Sequence, residues 1–199
     1  MRKVFALFAV LSLGALAAAC GGDDSDISSA GSTTLRTTTE VAEHNDADVA
    51  FAEGMIPHHA QAVEMAEMAV DVSLNDQVIG LAQRIQAAQQ PEIDEMTGWL
   101  EAWGEPVEAS SGGGHGAHGG SGGAMAGMMS EEGMAQLGAM DGAAFDRMWL
   151  DMMIRHHEGA IEMAKTHQAE GEYPNALMLG EEIITAQEAE ITEMRAITV

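Results

Sequence analysis

Two stretches of this chain carry the same residues in the same order, and those residues can bind a soft metal. MIPHHAQAVEMA runs from Met55 to Ala66, and MIRHHEGAIEMA from Met153 to Ala164. Eight of the twelve positions are identical, at a constant offset of 98 residues. Met55 stands three and four residues before His58 and His59, and Met65 follows two turns later. Met153, His156, His157 and Met163 repeat the spacing. On a helix, residues three and four apart share a face. Imidazole nitrogen with thioether sulfur is a borderline-to-soft donor set, suited to copper, above all Cu(I), rather than to magnesium, calcium or manganese. A methionine stripe at helical spacing also serves as ordinary core, and a lone histidine on an apolar face is usually a hydrogen-bonded core residue. Four histidines in two matched pairs on core-facing stripes are a heavier load. Buried imidazole needs partners, so at least one pair is expected to ligate metal.

Further donors surround the pairs. Gln89, Glu92 and Met96 share a helical face, as do Gln187, Glu190 and Met194 at the same offset. Glu92 and Glu190 are candidates to orient imidazole N–H groups from behind, or to be solvated helix-face acids. His167 lies on the second stripe, but a helical rise puts it about 20 Å from Met153. One ion cannot reach both, so His167 serves a separate site or none. The chain holds 16 methionines. Met125, Met128 and Met129 stand with His115 and His118 in or beside a glycine-rich stretch. That stretch reads either as a soft-metal catcher or as low-complexity sequence.

The elements that must position these residues are helical. Phe51, Met55, His58, Ala62, Met65 and Ala69 step by four and three residues, and Trp149, Met153, His156, Ala160, Met163 and His167 do the same. The repeat extends to Ile85, Ala88, Gln89, Glu92, Ile93, Glu95 and Met96, which recur as Ile183, Ala186, Gln187, Glu190, Ile191, Glu193 and Met194. A duplicated helical hairpin follows, with Asn45, Asp48 and Asp141 as N-cap candidates. The second helix is expected over about 75–102, ending at Gly104 and Pro106, the fourth over about 175–196, and a short extra helix after Ser130. Pro57 and Pro91 lie inside the helical patterns and are expected to kink or interrupt them. With no strand signal, the fold expected is all-α: an antiparallel four-helix bundle over residues 44–199, interrupted by the Gly/His/Met-rich loop at about 104–129.

Outside the bundle, Arg2, Lys3 and the apolar run to Ala19 read as a secretory signal, too short for an ordinary membrane span. The signal ends at Cys20, the only cysteine. A cysteine directly after an Ala-rich run reads as the lipidation site of a bacterial lipoprotein, although Leu16 stands four positions before it rather than three. Residues 21–43 then form a tether, rich in Gly, Ser, Thr and Asp. The net charge of −24 becomes −26 once Arg2 and Lys3 are removed. Such a chain repels nucleic acid and anionic lipid and favours cations.

The stretches HNDADVAFAEGMIPHHAQAVEMAEMA and FDRMWLDMMIRHHEGAIEMAK, supported by QQPEIDEMTGWLEAWG, resemble the domain of unknown function 305 family over roughly residues 44–199. The resemblance implies a ferritin-like four-helix bundle and, from some members, an exported copper-binding protein concerned with copper resistance. It would place the ligands at Met55, His58, His59, Met65, Met153, His156, His157 and Met163. The function expected is lipid-anchored, extracytoplasmic sequestration or transfer of copper without turnover, with a donor or acceptor protein as possible partner. The oligomeric state stays open. One alternative is a metal-free helical interaction module. Another is a di-iron oxidase, which needs Glu three residues before His on two helices. Met55, Ile56, Met153 and Ile154 occupy those positions.

Overall fold

The computed structural model describes residues 43–107 and 125–199. Cys20, nearly all of the expected tether, His115 and His118 lie outside the described residues. Five helices follow in order among those described: α1 Asp46–Val72, α2 Asp76–Trp103, α3 Glu131–Gly138, α4 Gly142–Glu170 and α5 Pro174–Ala196. None is long and apolar enough to cross a membrane.

The helix ends follow local chemistry. Asn45 forms a full capping box on α1, its side chain accepting from the Ala47 and Asp48 amides while Asp48 accepts from the Asn45 amide. α2 ends on Gly104 at φ 79°, a left-handed cap that suits glycine. Asp141 takes the N-cap position of α4 but makes no side-chain cap bond. Of the expectation that Pro57 and Pro91 kink or interrupt their helices, the interruption is corrected: α1 and α2 run unbroken through them. Each proline removes one intrahelical bond, and the flanking turns, held by burial on both sides, keep the helix going.

α1 with α2, and α4 with α5, are hairpins closed by the short links Ser73–Asn75 and Gly171–Tyr173. The hairpins meet through α1 and α4. Trp149 Nε1 donates to Met65 O (2.8 Å), the His58 ring meets the His156 ring, and His167 meets Asp48. As one index rises the other falls, so α1 and α4 are antiparallel, and with the two hairpins they make an antiparallel four-helix bundle. The short α3, capped by Ser130, contributes fully buried Leu137 to the core.

The core falls into two clusters. One joins Met65, Leu81, Ile85, Trp149 and Met153. The other joins Phe51, Met55, Met96, Leu100 and Ile183. The histidine pairs lie between them in sequence on both helices: Met55 and Ala62 flank one pair, Met153 and Ala160 the other, and in each case the flanking residues belong to opposite clusters.

Candidate metal centre

The two repeats converge where α1 crosses α4. His58 and His156 stack there with ring centroids 3.8 Å apart, tilted by 42°. All four paired histidines are buried, none exposing more than 1% of its surface.

Their hydrogen bonds fix which nitrogens remain free. His59 Nε2 lies 2.7 Å from Glu92 Oε2 on α2, and His157 Nε2 lies 2.7 Å from Glu190 Oε2 on α5. His58 Nε2 lies 3.0 Å from the Ala126 carbonyl oxygen. A carboxylate and a carbonyl only accept, so each Nε2 carries a proton and donates, and in the neutral ring Nδ1 is the bare lone pair. The Nδ1 atoms of His58, His59 and His157 are buried with no hydrogen-bond partner among the described residues, and His156 has neither nitrogen partnered. Of the two readings open for Glu92 and Glu190, the geometry favours the one that sets each against an imidazole. Carboxylates behind imidazoles are the usual partners of metal-bound histidine.

Burial sets the charge state. It lowers the His58 pKa to about 4, against the Ala126 hydrogen bond, with His59 and His157 adding in the downward direction. His156 is driven well below the ordinary value, first by burial and then by the neighbouring imidazoles. His58 and His156 are therefore neutral at physiological pH and keep lone pairs to offer.

The thioethers flank this layer on both sides. Met65 and Met153 are fully buried in one core cluster, with Met194 beside them. Met55 and Met96 are fully buried in the other, with half-buried Met163 packed against it. The histidine pairs therefore form one layer, and the methionines two. Among the described residues, no three His, Cys, Asp or Glu side chains are grouped to hold a metal ion. That holds for the four paired histidines as well: no three of them stand grouped around one ion position. Orphaned imidazole nitrogens between layers of thioether sulfur do fit a soft ion, with sulfur completing the donor set.

His167 is separate from the pairs, as its distance along the helix required. Its Nε2 lies 2.7 Å from Asp48 Oδ1, and its ring stacks on Phe51 at 4.2 Å. The same Asp48 accepts from the Glu172 and Tyr173 amides, tying α1 to the link between α4 and α5. Its repeat mate Asp146 accepts from Ser73 Oγ at 2.6 Å in the other link.

The described end of the Gly/His/Met-rich stretch, from Met125 to Ser130, is a strap docked on the centre. Met125 keeps 38% exposure, but Met128 and Met129 are half-buried, and Met129 packs against the core. Gln61 grips Met129 twice, Nε2 to O at 2.9 Å and Oε1 from N at 2.7 Å. Gly127, at φ 79°, lies so close to α4 that a Cβ there would stand 2.7 Å from Arg155 O. A Cβ on Gly159 would overlap the Ala126 carbonyl. The strap could have been found from departures within the repeat, because Gln61 and Gly159 are mates at the 98-residue offset. One mate grips the strap and the other makes room for it.

The chain matches the family described as domain of unknown function (DUF305) over residues 48–198 and belongs to it. A DUF305 protein from Streptomyces coelicolor is similar at 30% identity and TM-score 0.65, covering 74% of this chain and 89% of that one. A DUF305 fragment from Deinococcus radiodurans is similar at 30% identity and TM-score 0.66, covering 76% and 95%. CopM in its Cu(I)-bound form is similar at 31% identity and TM-score 0.61, covering 75% and 93%. CopM is also known in Cu(II)-bound and silver-bound forms. No curated protein sequence matches the chain.

Proposed function

We propose that this chain is an exported protein, lipid-anchored at Cys20, that sequesters or hands on copper without turnover. The ion is Cu(I) in the first place, and its donors are drawn from the four paired histidines and Met55, Met65, Met153 and Met163. The observation that carries the reading is the set of five buried imidazole nitrogens without a partner at the α1–α4 crossing. Leaving such groups unsatisfied in a core costs about 1–3 kcal/mol each, and a bound ion removes that penalty at the nitrogens it takes, at most one per ring. The likeness to CopM in copper- and silver-bound forms supports the same cargo. The signal-like N-terminus supports export, in keeping with the secreted designation of the Streptomyces relative. With no Glu-x-x-His pattern, an oxidase reading has no anchor.

The test is an anaerobic competition titration of Cu(I) against a chromogenic chelator, on protein beginning at Gly21. It is run beside a variant with His58, His59, His156 and His157 changed to Ala, whose helicity is checked by circular dichroism. Tight binding lost in a folded variant is the expected result. Binding retained at full strength by the folded variant would move the ion away from the histidines. No binding by the unaltered protein would leave a metal-free helical module as the better reading.

A further inference from the structure

Two further acceptors lie bare in the core, and they do not belong to a soft donor set. Gln89 on α2 and Gln187 on α5 are repeat mates, each 3% exposed. Each is the one polar residue among the buried positions of its helix. Their Oε1 atoms are buried with no hydrogen-bond partner among the described residues. Such an oxygen is costly to leave bare, and here the cost is carried twice, at the same place in both repeats. The register of the hairpins sets that place. Glu92 meets His59, and Glu190 meets His157. One turn nearer each link, Gln89 stands opposite Ala62 and Gln187 opposite Ala160. Those three residues are about 4.5 Å of helical rise. Ala62 and Ala160 are fully buried and small, which leaves room at their level for a longer side chain from across the hairpin. Ala62 belongs to one core cluster and Ala160 to the other, so the two glutamines flank the histidine layer from opposite sides.

We propose that Gln89 and Gln187 determine which oxidation states of copper the centre accepts: their amide oxygens are the hard donors that let the histidine layer hold Cu(II) as well as Cu(I). The proposal rests on the reading of the histidine layer as a copper centre, and it adds the side chains that admit the divalent ion. Imidazole with thioether serves Cu(I), whereas Cu(II) favours nitrogen with oxygen in a tetragonal set. No three of the paired histidines stand around one ion position, so imidazole alone does not complete such a set. Glu92 and Glu190 are engaged with the Nε2 atoms of His59 and His157. That leaves the amide oxygens as bare hard donors one turn from the layer, one on each side of it.

The test compares the two oxidation states on protein beginning at Gly21. Cu(I) is titrated anaerobically against a chromogenic chelator, and Cu(II) in air against glycine. One variant, Gln89→Leu with Gln187→Leu, removes both oxygens. A second, Gln89→Met with Gln187→Met, keeps the shape of the side chains and puts sulfur in place of oxygen, and it carries the comparison should the Leu pair disturb the fold. The variant with all four paired histidines changed to Ala shows how much Cu(II) binds elsewhere. In the folded Leu variant the affinity for Cu(II) should fall at least about tenfold, with that for Cu(I) unchanged. The potential of the bound copper should then rise by about 59 mV or more for this one-electron couple. The Met variant should shift the potential in the same direction and hold Cu(I) at least as tightly. Equal loss of both ions, or loss of neither, in the folded variants overturns the oxygen-donor role. Cu(II) binding retained in full by the histidine variant also overturns it, because the ion then lies elsewhere. If the unaltered protein holds Cu(I) and refuses Cu(II), the role of the glutamines fails and the histidine reading stands. If it binds neither ion, both fail.

Discussion

Asp48 and Asp146 are repeat mates, yet they carry different loads, and their removal should show it. Asp48 is fully buried and accepts from Asn45 N at 2.9 Å, His167 Nε2 at 2.7 Å, Glu172 N at 3.1 Å and Tyr173 N at 3.0 Å. Asp146 is 4% exposed and accepts from Ser73 Oγ. Asp48→Ala strands several buried or half-buried donors, each worth about 1 kcal/mol or more when left unsatisfied, for a total loss of about 3–5 kcal/mol. Asp146→Ala strands one hydroxyl that can turn elsewhere, for about 1–2 kcal/mol. Urea denaturation followed by far-UV circular dichroism, at pH 7 with a chelator present, measures both. The slope against urea should be unchanged, so that midpoints report stability. The Asp48 pKa is lowered: burial pushes it up, but the hydrogen bonds from His167, Asn45, Glu172 and Tyr173 outweigh that. A depressed carboxyl pKa stabilises the native state above the ordinary value of 3.8 and ceases to do so as pH falls through the folded value. The gap between the unaltered protein and Asp48→Ala should therefore hold steady from pH 8 to 5 and narrow below about 3.8. Equal losses for the two variants, or a gap that widens in acid, would refute the assignment of unequal load.

The metal-free protein should also lose stability at mildly acid pH. The unfolded chain takes up a proton at His58 near 6.5 while the native state refuses it until about 4. The contribution is thus present above the unfolded value and lost as pH falls, by about 3 kcal/mol across the window, with His156 acting in the same direction. His58→Gln should flatten that decline in chelator-treated samples, and a profile already level from pH 7 to 4.5 would contradict it. Gly159→Ala should lift the strap, because the new Cβ would overlap the Ala126 carbonyl. It should lower stability by about 1–3 kcal/mol and speed proteolytic cleavage near the strap. Gly98→Ala in α2 meets nothing within 4 Å and should instead add about 0.5–1 kcal/mol.

The bundle and the histidine layer were legible in sequence because both are periodic. One offset of 98 residues relates Met55 through Met65 to Met153 through Met163, and Glu92 to Glu190. A pattern written twice in the same register can be assigned to a face without coordinates. The pairing of Glu92 with His59 and of Glu190 with His157 follows once the hairpins are antiparallel, and the structure gives both the same 2.7 Å bond. The strap was not legible in the same way. Its contact to His58 is made by a backbone carbonyl at Ala126, and a carbonyl leaves no mark in residue type. Its methionines sit beside a run of glycines, which masked a docked segment as simple loop. That α1 is not interrupted at Pro57 has a related reason. Proline penalises a helix locally, but α1 is buried on both sides of Pro57, with Met55, Ile56, His58 and His59 all inside the core. Tertiary packing outweighs one missing hydrogen bond there.

What the repeat leaves unequal shows on the two sides of the histidine layer. A strictly two-fold centre would offer equivalent approaches from either side of the histidine layer. Here, on one side, Met65 and Met152 are both fully buried. On the other side their mates are half-buried Met163 and Gly54, with the cleft beside them. The strap starts on this side, where Met125 Sδ comes 3.9 Å from a Cβ placed on Gly54, passes Ala126, whose carbonyl meets His58, and ends with Met129 against the other cluster. Gln61 and Gly159, which depart from each other within the repeated motif, both serve that docking. On the proposed reading, the duplicated residues set which ion is held, and the departures from the duplication dock the strap whose carbonyl meets His58.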